Sequence, residues 1–467
     1  MIQTTDTIAA IATALSPSGI SIIRISGPEA MAIASGLFYR NGHHVDVAAY
    51  PSHTVQYGYI TEPESDTVID EVMMLILKSP KTFTREDTIE IDCHGGIIVT
   101  KRILQAVLKA GARLAEPGEF TKRAYLNGRI DLTQAEAVAD VISAKNELSL
   151  KNSMKQLKGR VRRDIMLLRE EILREIAQIE ATLDDPEHLS FDGFTEKITE
   201  STERHLKIVT HLAETAENGR LIHDGIRTVI LGKPNAGKSS LLNALLGENR
   251  AIVTDIAGTT RDTLTEEIHY NGITLLLMDT AGIRNTEDTV EKIGVERAKN
   301  AADEADLILY VTDSSANLDD NDEDIIRQYG NRPMIALLNK SDLTTVTGPE
   351  ALQTMLRKFD CNAEIIEISA KNETGINRMQ DVISSMFFEN QIQSDEEYMI
   401  TSERHRQALL SAQDSLKRVQ DSISTGMPED FYTIDLTAAY ESLGTILGEE
   451  LDEDIINTIF SEFCMGK

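Results

Sequence analysis

The stretch that decides the fold is Gly232-Lys233-Pro234-Asn235-Ala236-Gly237-Lys238-Ser239, a complete phosphate-binding loop. The apolar run 227–231 before it predicts a buried strand, and residues 238–246 predict a helix, the context that this motif requires. The two glycines let the backbone curl, so that N–H groups converge on a phosphate. Lys238 adds a positive charge between phosphates, and Ser239 offers a hydroxyl to Mg²⁺. The stretch therefore predicts a nucleotide-binding α/β domain.

Three further motifs follow in order, each at the end of an apolar run. Asp279-Thr280-Ala281-Gly282 supplies an acidic residue for Mg²⁺ and a glycine N–H for the terminal phosphate. Asn339-Lys340-Ser341-Asp342 supplies a carboxylate for the N1–H and N2–H₂ donors of guanine, a pair that adenine lacks. Ser369-Ala370-Lys371 is the last base-contacting loop. The four motifs predict a GTPase domain; the alternative is a decayed fold that no longer binds nucleotide.

Two features bear on hydrolysis. Ile283 stands where many GTPases of this fold carry a glutamine that orients the attacking water, so another group must do this or hydrolysis is slow. Asn235 is either a packing residue or a ligand for a monovalent cation, whose shell the carbonyls of switch I (254–262) would complete. The predicted GTP contacts are Asn235, Ala236, Gly237, Lys238, Ser239, Ser240, Thr254, Asp255, Ile256, Ala257, Gly258, Thr259, Thr260, Asp279, Thr280, Ala281, Gly282, Asn339, Lys340, Asp342, Ser369, Ala370 and Lys371.

Length and composition restrict the other choices. The chain has 467 residues, enough for about three domains. No run approaches the ~20 apolar residues of a membrane span, and the N-terminus lacks a secretion signal. Cys93, Cys361 and Cys464 are too few and too scattered for a disulfide framework or a zinc site. We therefore expect a cytoplasmic protein that does not interact with membranes.

The charge is strongly negative, with one basic exception. A net charge of −30 argues against nonspecific binding to nucleic acid, because phosphate contacts require cations. Residues 151–163, however, contain six basic residues and no acidic one. This basic run is interpreted either as a solvated helix face or as a docking strip for an anionic partner such as RNA.

The chain divides into parts, one of them inserted in another. Residues 1–120 alternate short strands and helices, an α+β pattern. Residues 121–225 and 387–467 read as helical, and apolar residues at steps of three and four from Leu157 to Leu183 predict one face of a long helix. Residues 226–386 form the predicted Ras-like P-loop GTPase domain. We therefore predict a multidomain α/β protein in which the GTPase is inserted in an α-helical domain.

Several motifs resemble the family of tRNA-modifying GTPases called MnmE or TrmE, and the resemblance covers the whole chain. They are Ile22 to Gly27, Pro117 to Thr121, Leu132 to Ala137, the phosphate loop with switch I, and the ending Phe463-Cys464-Met465-Gly466-Lys467. The resemblance implies a homodimer held through N-terminal domains of a tetrahydrofolate-binding-like fold. It also implies potassium-activated GTP hydrolysis and a flavoprotein partner, MnmG (GidA), in a heterotetramer or larger complex. Together they would add an aminomethyl or carboxymethylaminomethyl group to C5 of the wobble uridine of certain tRNAs, with a folate as carbon donor.

The resemblance also implies roles for individual residues. Mg²⁺ would be bound by Ser239 and Thr260, and K⁺ by Asn235 with Thr254, Ile256 and the neighbourhood of Thr259. Glu291 would orient the attacking water and so replace the missing glutamine, and Cys464 would have a chemical role. Folate would be bound by Arg24, Glu86, Arg129 and Lys467. Arg129 stands where relatives often have lysine, which keeps the charge but changes the contact geometry.

Two other classes of function share parts of this pattern. A ribosome-assembly GTPase that acts only as a binding switch would carry the same four GTP motifs. Such proteins typically have an RNA-binding module after the GTPase, whereas this chain returns to helices and ends in Cys-X-Gly-Lys. The other class is a folate enzyme that acts alone, with the GTPase as its regulator.

Overall fold

The computed structural model describes residues 6–63, 65–185, 188, 194–248, 266–270, 273–278, 301–388, 398–449, 451, 453–461, 463 and 466. The chain forms two compact units. The first contains Met1–Ser143, Ser153–Leu206 and Ala408–Lys467, and the second contains Ala144–Asn152 and Lys207–Gln407. The finer division at 120, 225 and 386 remains a prediction. In the part of the chain described, no helix has the length and apolarity needed to cross a membrane.

The first unit contains a mixed sheet whose described strands number eight. They are β1 (Ile8–Ile11), β2 (Ile20–Ser26), β3 (Phe38–Arg40), β4 (His43–His44), β5 (Thr54–Glu62), β6 (Ser65–Leu77), β7 (Thr88–His94) and β8 (Arg113–Leu114), in the order β4-β3-β5-β6-β7-β2-β1-β8. Neighbours are antiparallel except β1 and β8. Helices α1 (Ala30–Leu37) and α2 (Ile97–Lys109) pack on one face, where Ile23, Ile89 and Ile103 share a core. Successive strand residues point to opposite faces, which is why one face is apolar and buried.

The helices that follow are α3 (Glu119–Leu126), α4 (Leu132–Ser143), α5 (Glu147–Leu157), α6 (Arg160–Asp184) and α7 (Phe194–Asp224). The long helix expected from Leu157 onward is wrong at its start, because Gly159 is left-handed (φ 79°) and separates α5 from α6. Beyond this break the predicted face is buried at Val161, Ile165, Leu168, Ile172, Ile176 and Ile179. Leu183 is exposed, and Thr182 is buried in the last turn instead.

The second unit contains a largely parallel sheet with helices on both faces. Its described strands are β9 (Ile226–Leu231), β10 (Glu266–Tyr270), β11 (Ile273–Leu277), β12 (Leu307–Asp313), β13 (Met334–Asn339) and β14 (Glu364–Glu367), in the order β10-β11-β9-β12-β13-β14. Only the β10–β11 pair is antiparallel among these strands. Helices α8 (Lys238–Glu248), α9 (Asp320–Tyr329), α10 (Pro349–Lys358) and α11 (Ile376–Phe388) flank it. Because β9, β12 and β13 are parallel, their carboxyl ends meet at one edge, where such sheets bind ligands.

The chain then returns to the first unit. Helix α12 (Glu403–Ser424) is followed by α13 (Asp430–Leu447) and α14 (Glu453–Ser461). Arg169 of α6 stacks on the Tyr440 ring of α13 at 4.0 Å, and its Nε donates to the Tyr440 carbonyl at 3.1 Å. It also forms an ion pair with Glu449 at 2.7 Å. Helix α6, which precedes the nucleotide-binding fold in the chain, therefore packs against α13, which follows it.

Candidate functional site

The phosphate loop connects β9 to α8, and its conformation requires glycine at two positions. Gly232 has φ 149°, and a Cβ there would lie 2.1 Å from the carbonyl oxygen of Val311. Gly237 has φ 100°, and its Cβ would lie 2.0 Å from Nδ2 of Asn339. Asn235 between them is also left-handed, at φ 63°, and exposed. The loop is therefore a narrow cradle that side chains at 232 and 237 would fill, as a phosphate site requires.

Lys238 curls back over this loop. Its Nζ donates to the carbonyl oxygens of Gly232 (2.7 Å) and Lys233 (2.8 Å). Burial lowers the pKa of its ammonium group. An ammonium held among carbonyls inside the loop gains a charged partner when a phosphate binds. The next residues, Ser239 and Ser240, lie in the exposed first turn of α8, where the Ser239 hydroxyl suits a Mg²⁺ ion bound to phosphate.

Lys233, which the sequence did not single out, anchors the loop from outside. Its Nζ lies 2.7 Å from Oδ2 of Asp322 and 3.0 Å from Oδ2 of Asp319. Burial lowers the pKa of Lys233, but the hydrogen bonds to these two carboxylates outweigh it and raise the pKa overall. Asp322 is fully buried and accepts from the Tyr310 hydroxyl at 2.6 Å. The Asp319–Asp322 capping box that begins α9 was the available sequence signal.

The two motifs that are predicted to contact the base meet at the ends of β13 and β14. Asn339, only 2% exposed, donates from Nδ2 to the Ala236 carbonyl at 2.9 Å and accepts at Oδ1 from the Ala370 N–H at 3.0 Å. Asp342 accepts from the Ser369 hydroxyl at 2.6 Å, and this hydrogen bond lowers the pKa of the exposed carboxyl. The Asp342 carboxylate is thus held ionised and oriented, as an acceptor for two guanine donors must be.

Asp313 at the end of β12 is another residue that sequence reasoning missed. Its Oδ2 lies 2.6 Å from Nζ of Lys340, which has a left-handed backbone at φ 65°. Burial raises the pKa of Asp313, and its hydrogen bonds with Lys340 and Ser315 outweigh this and lower the pKa overall. The ion pair fixes the direction of the lysine in the 339–342 motif. The signal was its position at the carboxyl end of a buried parallel strand.

The described part of the chain therefore brings the predicted phosphate and base contacts together. Asn339 joins Ala236 to Ala370, Gly237 lies against Asn339, and Asp342 lies against Ser369; Lys371 follows in the exposed loop. The remaining predicted residues lie outside the described residues: Thr254, Asp255, Ile256, Ala257, Gly258, Thr259, Thr260, Asp279, Thr280, Ala281, Gly282, Glu291, Cys464 and Lys467.

Two of the predicted folate residues converge beside β2 in the first unit. Arg24 Nε lies 2.7 Å from Glu90 Oε1, and its Nη1 donates to the Gly466 carbonyl at 3.2 Å. Glu86 accepts from the Ser26 hydroxyl at 2.8 Å. Ser26 and Arg24 are two residues apart on one strand, so they share a face. The structure therefore places the Arg24 guanidinium, the Glu86 carboxylate and the Gly466 carbonyl on the same side of the sheet.

Arg123 is a further residue of this region that the sequence analysis did not name. Its side chain is 1% exposed and lies 2.8 Å from Asp6, 3.0 Å from Glu119 and 3.3 Å from Glu86. Its Nε is buried and has no hydrogen-bond partner in the part of the chain that the structure describes. Buried arginines are held by several acceptors, and this one positions the Glu86 carboxylate. The motif Pro117 to Thr121, which begins α3, was the nearest signal.

Arg129, the third predicted folate residue, lies elsewhere on the same unit. Its guanidinium stacks 4.8 Å from the centre of the Phe83 ring. Both residues line a cavity of about 490 Å³ together with Lys81 and Arg85, and a neighbouring apolar cavity of about 460 Å³ that Gln134 and Val138 also line. A cation on an aromatic ring beside two ligand-sized cavities fits an anionic aromatic compound such as a folate.

The basic run 151–163 belongs to two units. Lys151 is part of the second unit, whereas Lys155 and the residues after it are part of the first. Arg162 and Arg163 are exposed but form ion pairs with Asp131 (3.2 Å) and Asp164 (3.1 Å). Both interpretations of the run remain predictions.

Comparison with known proteins identifies the family. Residues 7–129 match the family model described as the GTP-binding protein TrmE N-terminus, and residues 132–464 match the model described as the MnmE helical domain. Proteins named tRNA modification GTPase MnmE are similar over 99% of this chain. The one from Lachnoclostridium phytofermentans is 56% identical over 463 residues and is covered over 100% of its length. Those from Enterococcus faecalis and Acetivibrio thermocellus are each 45% identical and covered over 98% and 99% of their lengths.

These matches extend from the N-terminal sheet through the phosphate loop to the C-terminal helices. The resemblance inferred from the sequence motifs is therefore confirmed, and the chain belongs to the MnmE (TrmE) family.

Proposed function

We propose that this protein is a GTPase that acts in the modification of tRNA. The observation that carries the proposed GTPase activity is the buried side-chain amide of Asn339, which joins the phosphate loop to the proposed base-contacting loop. The tRNA part rests on family membership. More specifically, the protein and a flavoprotein partner, MnmG, in a heterotetramer or larger complex, add an aminomethyl or carboxymethylaminomethyl group to C5 of the wobble uridine. We further propose that this takes place in the cytoplasm.

The described residues divide the work of GTP binding. Lys238 exchanges its loop carbonyls for oxygens of the β- and γ-phosphates, and the N–H groups around Gly237 donate to the same phosphates. Asp342 accepts from N1–H and N2–H₂ of guanine, with Ser369 holding it in place. An adenine would leave this carboxylate unpaired, so the site selects guanine by the cost of a lost hydrogen bond.

Hydrolysis of GTP requires cations beside the phosphates and a group that orients the attacking water. We propose that Ser239 and Thr260 hold Mg²⁺, and that Asn235 with the carbonyls of Thr254, Ile256 and Thr259 holds K⁺. Bound there, these cations neutralise the charge that develops between the β- and γ-phosphates. Asn235 fits a ligand role because its left-handed backbone sets an exposed amide at the rim of the loop. Glu291 orients the attacking water, a task that Ile283 cannot perform.

The first unit supports two further parts of the proposal. Arg24, Glu86, Arg129 and Lys467 bind a tetrahydrofolate derivative that supplies the carbon, and Cys464 takes part in the chemistry. Val55, Tyr57 and Met73 form an exposed apolar patch on paired strands β5 and β6, opposite the buried face. An apolar patch of this kind on a sheet is typical of a protein interface, which supports a homodimer formed through the N-terminal domain.

The test is a strain from which the gene has been deleted, complemented with wild type, Lys238→Ala or Cys464→Ser. Mass spectrometry of tRNA nucleosides should show that the C5-substituted wobble uridine is lost and that only wild type restores it. Persistence of the modified nucleoside in the deletion strain, with no second gene that covers for it, would contradict the tRNA function. A binding switch without modification chemistry would then be the better interpretation.

A further inference from the structure

A cavity of about 490 Å³ in the first unit is lined by several cations, one of which is the proposed folate residue Arg129. Lys81, Arg85 and Arg129 line it, together with His53 and Phe83. Its volume is in the range of small-molecule sites. None of the described residues that line it is acidic. In a chain with a net charge of −30, a cavity that three cationic side chains line among neutral ones indicates an anionic ligand.

These cations differ from their neighbours in having no carboxylate partner. Arg24, Arg113 and Arg123 form ion pairs with Glu90, Glu119 and other acids at 2.6–3.3 Å. Within the described residues, neither Lys81 nor Arg85 nor Arg129 forms an ion pair. Among the described residues, the guanidinium of Arg85 donates to a backbone carbonyl, that of Asn127, at 2.8 Å. Their charge is therefore available to a ligand.

The loop that carries Lys81 and Arg85 is held in place by its own hydrogen bonds. Ser79 Oγ donates to the Arg85 carbonyl at 2.8 Å, and Thr82 Oγ1 donates to the Glu86 carbonyl at 2.7 Å. Asn127 Nδ2 donates to the Thr84 carbonyl at 2.7 Å and so ties the loop to the end of α3. The cations are thus presented by an ordered loop, and binding an anion there costs little conformational entropy.

We propose that this cavity binds the poly-γ-glutamate tail of the folate. The proposal rests on the proposed folate function, because Arg129 is a predicted folate contact and Glu86 lies on the same loop as Lys81 and Arg85. Each γ-linked glutamate adds one free carboxylate at regular spacing along a flexible chain. Several cations around one open cavity can pair with successive carboxylates of a polyglutamate tail, whereas a monoglutamate supplies fewer carboxylates.

The test is to measure how affinity depends on tail length with the full-length protein. Tetrahydrofolate monoglutamate and triglutamate are titrated anaerobically at low and at physiological salt. The triglutamate should bind about tenfold more tightly, the gain from two or three exposed ion pairs, and added salt should reduce this preference. In the Lys81→Gln/Arg85→Gln variant the preference should fall to about one. Lys101→Gln, an exposed lysine of α2 in the same unit, is the matched control and should keep it.

Each contrary outcome has a distinct meaning. Equal affinity for the two tails, with the monoglutamate still bound, would overturn the tail site and leave the folate function standing. No binding of either compound would overturn both. If the double variant keeps its tail preference but binds tRNA more weakly than Lys101→Gln does, the cations hold RNA phosphates and the proposal is wrong. Circular dichroism of each variant shows whether it is folded.

Discussion

Nδ2 of Asn339 lies 2.9 Å from the carbonyl oxygen of Ala236, so the side chain that ends β13 also holds the phosphate loop. The Oδ1 atom of the same amide accepts from the Ala370 N–H. Asn339 therefore connects its own motif to a phosphate loop about a hundred residues earlier in the chain and to a motif about thirty residues later. The phosphate loop and the loop that follows β14 are coupled through this amide, because neither loop can shift without breaking a buried hydrogen bond.

Asn339→Ala should weaken GTP and GDP binding together. The change leaves the Ala236 carbonyl and the Ala370 N–H without their partner in a buried site, at a cost of about 2 kcal/mol, or roughly 30-fold in affinity. Titration with a fluorescent guanine nucleotide measures this. Asn331→Ala, at an exposed position of the same unit, should bind like wild type. Equal affinities for the two variants would mean that the amide does not couple the loops.

Gly237→Ala should abolish nucleotide binding, although the substitution adds only one carbon atom. The new Cβ would lie 2.0 Å from Nδ2 of Asn339, and the backbone has φ 100°, where side chains are strained. Gly247→Ala is the matched control, since that glycine is in α8 with nothing within 4 Å of the added carbon. It should increase the free energy of unfolding by up to about 1 kcal/mol, because alanine has the higher helix propensity, and so raise the melting temperature slightly. A Gly237→Ala protein that binds GTP normally would contradict the cradle geometry.

Asp342→Asn should exchange guanine for xanthine. An amide presents a donor where the carboxylate presents an acceptor, which matches the oxygen at C2 of xanthine. Binding of GTP should fall by at least about a hundredfold while xanthosine triphosphate gains. Ser369→Ala, which removes the 2.6 Å hydrogen bond to Asp342, should weaken GTP binding by only a few-fold. Competition titrations with both nucleotides check this, and an unchanged preference in Asp342→Asn would remove the residue from base recognition.

Glu119 should make the stability of the first unit depend on acid pH. Burial raises its pKa, but hydrogen bonds from Arg113, the Glu116 N–H and Arg123 outweigh burial and lower the pKa below its ordinary 4.5. The carboxylate therefore stabilises the fold above about pH 4.5, and this contribution is lost as pH falls through the lowered pKa. Glu119→Gln should cost about 2 kcal/mol at pH 7 and less at pH 4.

Thermal or urea unfolding between pH 4 and pH 8 measures this difference. Glu116→Gln is the control, because that side chain is exposed and should leave the pH dependence unchanged. A Glu119→Gln deficit that stays constant over the whole pH range would show that packing, and not the charge, is responsible.

Local elements could largely be predicted from the sequence, and the exceptions have physical causes. The sequence predicts alternating short strands and helices for residues 1–120, and the structure has such elements there, among them β2, β7 and α2. The prediction of one helix from Leu157 to Leu183 is wrong at Gly159. The spacing of apolar residues gives no information on the left-handed backbone of this glycine, which separates two helices. Lys233 was passed over because its partners, Asp319 and Asp322, are distant in sequence.

By itself, the sequence determined which chemical groups are available: a glycine-rich loop with Lys238, a carboxylate at Asp342, and motifs that assign the chain to its family. These features depend on residue types at short spacing, and local backbone geometry is enough to place such residues in a loop or at the end of a strand. The tertiary structure alone decided which groups act together. Asn339 reaches Ala236 because parallel strands bring their ends to one edge, and Lys81, Arg85 and Arg129 share a cavity because α3 packs against their loop. Such contacts join residues far apart in the chain, so only packing creates them.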